Sequence, residues 1–381
     1  MKILYFIGPL VRGGAELHLV NIVIKLKKKG ITPIVFTLEK KEDLEYFLYK
    51  NNIKVLYSRL SINSNYLSGL KFVKLINLFL NFISMMYAIK LNKPNVVHFF
   101  LPLPYILGGI ASIFLRVPIK IMSRRSRNFY QKKFYLVSLI ERFLHKRMNF
   151  ILANSEIVYS DLQKENVSNF KLGLIYNGIN INKIKTPKQK LKIRSKLSLS
   201  KDDFIINCTA NLIKYKGHED LFKALSLIKK ELGKSWKLLC VGKDFNFQKK
   251  LNDLALNLGL QEHILFLGSS NNPSELMSIS DIGVLVSHEE GFSNSILEYM
   301  SHSLAVVATN VGGNEFVLNK NECGEIVDVQ DIKKIGQRIK LFFNNKNLRK
   351  DKGKAGRKRV KKYFHIDNCV NQYFDLYKGL T

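Results

Sequence analysis

The sequence predicts an α/β protein of two doubly wound parallel sheets facing each other across a cleft. Short Val/Ile/Leu-rich runs alternate with longer amphipathic ones along the whole chain, the pattern of parallel strands covered on both faces by helices. The length, 381 residues, exceeds one typical domain and suits two. A Lys-rich stretch with Pro187, from Asn182 to Asp203, divides the alternation into two halves.

Strands in the first half are read at Lys2–Ile7, Thr32–Leu38, Ile53–Tyr57, Asn95–Phe100, Ile119–Ser123, Phe150–Ala153 and Leu172–Tyr176. Each is an apolar run too short for a helix. Longer stretches such as Ala15–Lys29, Leu70–Leu91 and Phe134–Arg147 separate most of them and read as helices. Asn182 to Asp203 reads as a linker followed by a short solvated helix. The second half repeats the grammar, with strands at Phe204–Thr209, Lys237–Val241, Ile264–Leu267, Ile282–Ser287, Ala305–Thr309 and Glu325–Val329. From Asn347 the tail is helical and strongly basic up to Lys362, and a last amphipathic helix runs from Asp367 to Gly379. Ligands of such sheets bind beyond the carboxyl ends of the strands, so the residues just after each strand are the candidates for function.

Composition narrows the class. An apolar content of 46% is enough for two cores and argues against disorder. Cys208, Cys240, Cys323 and Cys369 have no CxxC spacing and read as small core residues in a reducing compartment. The N-terminal apolar run is short, and Arg12 follows in place of a small-residue cleavage site, so Lys2–Ile7 is read as a strand rather than a leader. No segment is read as crossing a bilayer; the best candidate, Leu75 to Ile89, is short and contains Asn77, Asn81 and Ser84. The net charge is +31, and residues 51–150 hold sixteen Lys/Arg and a single acid, Glu141. A face of that kind suits a polyanion, either nucleic acid or an anionic membrane. A genomic bias toward Lys, Asn and Ile codons is the plainer alternative for part of the excess.

Five segments at strand ends carry the chemistry. Gly13-Gly14-Ala15-Glu16 follows the first strand, where glycines let a backbone approach a phosphate or simply make a turn. His98 closes the fourth strand, as a proton handler, a sugar ligand or a structural histidine. Asn177-Gly178-Ile179 is a tight turn at the boundary between halves. Asn211 to Gly217 follows the first strand of the second half; there Lys216 at a loop–helix junction suits a diphosphate, or is one more solvated lysine. The fifth runs from Glu290 through Gly291, Phe292, Ser293, Asn294 and Ser295 to Glu298, and continues to Gly312-Gly313. Its eight-residue spacing places one carboxylate before a helix N-terminus and the other inside the helix, where unpaired N–H groups suit an anion. One acid can then face a sugar and the other a ribose; two solvated glutamates are the plainer alternative.

Taken in order, these segments resemble family 4 of the retaining glycosyltransferases, with the GT-B fold of two doubly wound Rossmann-like domains. The resemblance covers nearly the whole chain. It is strongest from Asn207 to Val317, where Lys216-Gly217, Ser287, the Glu290–Glu298 spacing and Val311-Gly312-Gly313 match in order. Val96-Val97-His98, Ala153-Asn154-Ser155 and Tyr176-Asn177-Gly178-Ile179 match in the first half. It implies an acceptor-side domain over residues 1–180, a donor-binding domain over 181–363 and a final helix, about 364–381, packing back on the first domain.

The resemblance also implies roles. Glu298 matches the acid on the ribose hydroxyls and Glu290 the acid on the donor sugar. Phe292 to Ser295 match the helix N-terminus at the sugar and diphosphate, Lys216 the diphosphate cation, and Gly13-Gly14 the phosphate loop of the first domain. Glu290, Lys216 and His98 are therefore the catalytic candidates. This chain departs from the pattern at Asn211, where relatives carry an arginine, with Lys214 or Arg12 available to compensate, and at Phe100, where they often carry a histidine. The sequence has no DxD motif, so no metal and no cofactor are expected. The expected activity is transfer of a hexose or N-acetylhexosamine, from a UDP-linked donor and with retention, to a lipid-linked saccharide in bacterial surface polysaccharide synthesis.

Arg124, Arg125, Arg127, Lys132 and Lys133 are read as a surface for the acceptor or for anionic lipid. The expected location is cytoplasmic, at the inner face of the plasma membrane. Nucleic acid is not an expected partner, because the basic stretches lack interleaved surface aromatics in a recognised nucleic-acid-binding module. The alternatives are an epimerase or phosphorylase of the same fold, a non-catalytic partner subunit, and a basic nucleic-acid-binding protein.

Overall fold

The computed structural model describes residues 1–39, 42–58, 71–128, 130–131, 134–181, 183–270 and 272–380; Lys132, Lys133 and Asn182 lie outside them. The chain forms two compact units, one of Met1–Gly178 together with the chain from Ile366 onward, the other of Ile179–His365.

The first unit holds seven parallel strands: β1 (Lys2–Ile7), β2 (Thr32–Thr37), β3 (Lys54–Tyr57), β4 (Val96–Phe100), β5 (Ile119–Arg124), β6 (Phe150–Ala153) and β7 (Leu172–Leu174). Their order is β3-β2-β1-β4-β5-β6-β7, so the winding reverses between β1 and β4. Strand alternation feeds two cores. Ile3, Tyr5 and Ile7 point to a face covered by the helices Gly14–Lys28 and Ile366–Leu380. Leu4 and Phe6 point to the other, covered by Lys71–Asn92, Pro102–Phe114 and Tyr135–Arg147. Each fully buried aliphatic or phenyl group contributes about 1.5–3 kcal/mol. The last helix buries Ile366, Cys369, Val370, Tyr373 and Tyr377, one stripe at helical spacing, and Lys25 pairs with its Asp367 at 2.7 Å.

One apolar run is longer than the Leu75–Ile89 candidate of the sequence reading. Lys71–Asn92 spans 22 residues, and its Val73–Asn92 part is long and apolar enough to cross a membrane by length and composition. Met85, Ala88 and Ile89 instead pack into the sheet core.

The second unit repeats the plan with β8 (Phe204–Thr209), β9 (Trp236–Val241), β10 (Ile264–Phe266), β11 (Ile282–Leu285), β12 (Ala305–Thr309) and β13 (Gly324–Val327). The order is β10-β9-β8-β11-β12-β13, all parallel, with the reversal between β8 and β11. The basic Lys346–Tyr363 helix braces the elements on either side of β12. Arg359 donates to the carbonyls of Val317 (2.9 Å) and Phe316 (2.7 Å), Lys352 pairs with Glu325 at 2.8 Å, and Arg357 bonds the Ser301 carbonyl. Part of the tail's charge therefore holds the fold.

Candidate functional site

The reversal between β8 and β11 opens the carboxyl edge of the second sheet, where such sheets bind ligands. Two loops meet there. After β8 the chain makes a short 3₁₀ turn, Lys214–Lys216, and enters the His218–Leu232 helix through Gly217. Gly217 has φ +74°, and a Cβ on it would lie 2.0 Å from the Val286 carbonyl oxygen. Only glycine permits that approach, which sets Lys216 against the chain leaving β11. The His288 amide donates to the Tyr215 carbonyl at 2.7 Å and locks the two loops together.

Glu290 is fixed from two sides. Lys216 Nζ lies 2.7 Å from its Oε1, and Ser287 Oγ donates to the same oxygen at 2.8 Å. Ser287 is held in turn by Thr309, whose hydroxyl donates to the Ser287 carbonyl at 2.6 Å. Burial pulls the Lys216 ammonium down, but the Glu290 carboxylate outweighs it and the net pKa is raised, so the lysine is cationic. Gly312, at φ +57°, lets the following loop lie against Glu290; a Cβ there would be 2.5 Å from the Glu290 carbonyl oxygen.

Beyond Glu290, Gly291 and Phe292 lead to Ser293, the N-cap of the Asn294–Ser301 helix, whose own side chain makes no capping bond. Ser293 Oγ donates to Asn314 Oδ1 at 2.7 Å and Ser295 Oγ to the Thr209 carbonyl at 2.7 Å. Both hydroxyl protons are thus spent on the scaffold, and the helix start offers backbone N–H groups. Glu298 sits inside this helix, half-buried. Burial raises its pKa to about 7, and among the described residues no hydrogen bond or ion pair reaches its carboxylate. An acid so placed has its donors missing from the protein. Asn211 stands at the end of β8, its Oδ1 accepting the Lys243 amide at 3.1 Å.

In the first unit, Gly13 precedes the helix that Gly14 begins at the carboxyl end of β1, and the Glu16 carboxylate folds over Gly13. His98 departs from the expectation of a proton handler. It is fully buried, its Nδ1 hydrogen-bonded to the Tyr377 hydroxyl at 2.7 Å and its Nε2 to Ser123 Oγ at 2.8 Å. Burial pushes its pKa down to about 3, so it is a neutral core residue joining β4 to the last helix.

The basic run that begins at the end of β5 is also corrected. Arg124 is 2% exposed, bonded to Glu165 at 2.6 and 3.0 Å and to Glu141 at 2.9 Å, so it is the centre of a buried cluster. Strand alternation explains this: Ser123 faces His98, and the next residue faces the helices on the opposite side. Arg127 pairs with Asp161 at 3.2 Å, and Arg125 is half-buried beside Glu16 and Tyr373. Glu141, His145 and Glu165 have the spacing of metal ligands, yet the Arg124 guanidinium already bonds both carboxylates. Ser287 as the second anchor of Glu290 and Glu141 as the counter-ion of Arg124 were missed as functional partners. The isolation of Glu141 as the single acid among 51–150 was the available signal for the latter.

The sequence matches the family of Glycosyl transferases group 1 over residues 189–359 and Glycosyltransferase Family 4 over residues 12–183. It is 27% identical to the capsular polysaccharide biosynthesis glycosyltransferase CapM of Staphylococcus aureus, over 72% of this chain and 73% of that protein. It is 30% identical to a Campylobacter jejuni enzyme, N-acetylgalactosamine-N,N'-diacetylbacillosaminyl-diphospho-undecaprenol 4-alpha-N-acetylgalactosaminyltransferase, over 59% of this chain and 60% of that protein. Its fold is similar to that of Anabaena HepE, solved in complex with UDP and glucose, at TM-score 0.85 and 18% identity with 100% of both chains covered. A glycosyltransferase from Rickettsia africae matches at TM-score 0.80 and 26% identity, covering 100% of this chain and 98% of that one.

Proposed function

The chain belongs to the group 1, family 4 glycosyltransferases, and on that premise we propose that it moves a hexose or N-acetylhexosamine from a UDP-linked donor to a lipid-linked saccharide, with retention, in the synthesis of a bacterial surface polysaccharide. The observation that carries the donor reading is the Glu298 carboxylate, desolvated and, among the described residues, without a protein donor, on a helix that opens beside the Lys216–Glu290 pair. A ribose diol presents two O–H donors to one carboxylate and answers that deficit.

The remaining groups follow from the donor's charge. Lys216 and the N–H groups at Ser293 and Asn294 lie on the negative leaving group, and Glu290 accepts from a sugar hydroxyl. The bond between the anomeric carbon and the diphosphate oxygen breaks as the acceptor oxygen bonds the same face. The acceptor proton passes to the departing diphosphate. Stabilisation of that leaving group supplies the largest catalytic term, on the order of several kcal/mol, without a metal in its place. The Campylobacter relative's name specifies a diphospho-undecaprenol-linked acceptor; an acceptor of that class puts this chain at the inner membrane face as a peripheral protein.

The test is transfer of labelled sugar from a panel of UDP-sugars to lipid-linked oligosaccharide, with the anomeric configuration read by NMR. Glu298→Ala and Lys216→Ala should lower transfer by at least about a hundredfold while circular dichroism is unchanged. Wild-type turnover in either variant removes this site assignment.

A further inference from the structure

We infer that the outer face of three neighbouring helices of the first unit inserts into an anionic lipid surface. This deepens the lipid-linked acceptor reading and rests on it for the presence of a bilayer.

The face is apolar where a water-facing surface is ordinarily polar. On the Lys71–Asn92 helix, Leu75 (65% exposed), Phe79 (63%), Ile83 (38%), Tyr87 (63%) and Leu91 (62%) recur every four residues in one inclined ridge. Phe114 (74%) on Pro102–Phe114, and Leu136 (73%) and Phe143 (52%) on Tyr135–Arg147, extend it. The inner sides of the same helices share one core through Met85, Ile89, Tyr105, Ala111 and Leu144, so their outer sides form one surface. Patches of this extent mark interaction sites.

Charge selects the occupant. Along these three helices the exposed charged residues described are Lys74, Lys90, Arg142, Lys146 and Arg147, all cationic; the acid, Glu141, is buried on Arg124. A second copy would set that cationic surface against itself, and a polar polyanion leaves the aromatic ridge without a partner. An anionic bilayer satisfies both, with apolar groups at the acyl boundary and cations among the headgroups. The long helix lies in the interface instead of crossing it, because Met85, Ala88 and Ile89 are already committed to the sheet. The Pro102–Phe114 helix begins directly after β4, so the face reaches the carboxyl edge where this unit binds ligands. The anchor is thus a hydrophobic insertion with a cationic border, in place of the Arg124–Arg127 run.

Co-sedimentation of the full chain with phosphatidylglycerol/phosphatidylcholine vesicles, free of any saccharide acceptor, tests this. Binding should rise with phosphatidylglycerol and persist in part at about 1 M salt, where screening falls to about 3 Å. The variant Leu75→Ser/Phe79→Ser/Tyr87→Ser should lose at least about tenfold in partitioning; Lys74→Glu/Lys90→Glu/Arg142→Glu should lose binding to the phosphatidylglycerol vesicles. Circular dichroism and a cooperative thermal transition report that each variant is folded. Vesicle binding by the serine variant equal to wild type, or complete release of wild type by salt, overturns the inference. So does a wild-type dimer that the serine variant dissociates. Because the vesicles carry no acceptor, a failure of the transfer reading leaves this result readable by itself.

Discussion

Lys216 and Glu290 are each other's partner, Nζ to Oε1 at 2.7 Å, across 74 residues of sequence. The cation assigned to the diphosphate and the acid assigned to the sugar thus form one preset unit that donor binding must share. A double-mutant cycle separates pairing from catalysis. Lys216→Met should cost about 10²–10³ in kcat, as loss of a charge-stabilising donor does. Glu290→Gln should cost less, because Ser287 still holds the side chain. Strictly additive losses in kcat contradict a shared unit.

The elevated Glu298 pKa, about 7, makes stability and donor affinity move oppositely with pH. A carboxyl whose folded pKa is raised contributes stability that is fully present below its unfolded value and lost as pH rises through about 7. Against Glu298→Gln, wild type should therefore lose Tm between pH 5 and 8, both values about those of the titration window. UDP binding needs the ionised form, so affinity rises over the same window and protons are released. Calorimetry in two buffers of different ionisation enthalpy reads that release; its absence contradicts the ribose assignment.

Gly217→Ala should destabilise the second unit and weaken donor binding together. The φ of +74° disfavours any L side chain, and the Val286 carbonyl occupies the space of the new methyl. The expected cost is about 1–3 kcal/mol, read by urea unfolding. An unchanged midpoint would show that the loop relaxes freely.

Arg124→Met should cost about 3–5 kcal/mol, since it leaves Glu141 and Glu165 buried without their cation. Burial raises the Glu165 pKa, but His145 and Arg124 outweigh it and hold it near about 2. Its stabilisation is present above the ordinary carboxylate range and lost as pH falls toward about 2, so wild type loses that share of stability in acid. Vesicle binding by this variant, at temperatures where it remains folded, should match wild type, since the residue is 2% exposed.

The strands were legible because parallel strands buried on both faces are written as continuous apolar runs; β1, β8 and β12 lie where those runs do. The Glu290–Lys216 relation was legible because both residues stand just after strands that neighbour each other. His98 was not, because its partner Tyr377 is 279 residues away and the face of β4 it occupies is decided by that packing. Arg124 was not, because a run of cations carries no record of which member turns inward. The membrane-facing ridge was hidden by its mildness: Asn77 and Asn81 interrupt the apolar run, and exposure is decided by which side the sheet covers.

The most direct test of the account is isothermal titration of UDP into wild type, Glu298→Ala and Lys216→Ala. The account predicts saturable one-to-one binding to wild type, at least about a hundredfold weaker in each variant. Equal affinity in all three, or no saturable binding to wild type, contradicts it.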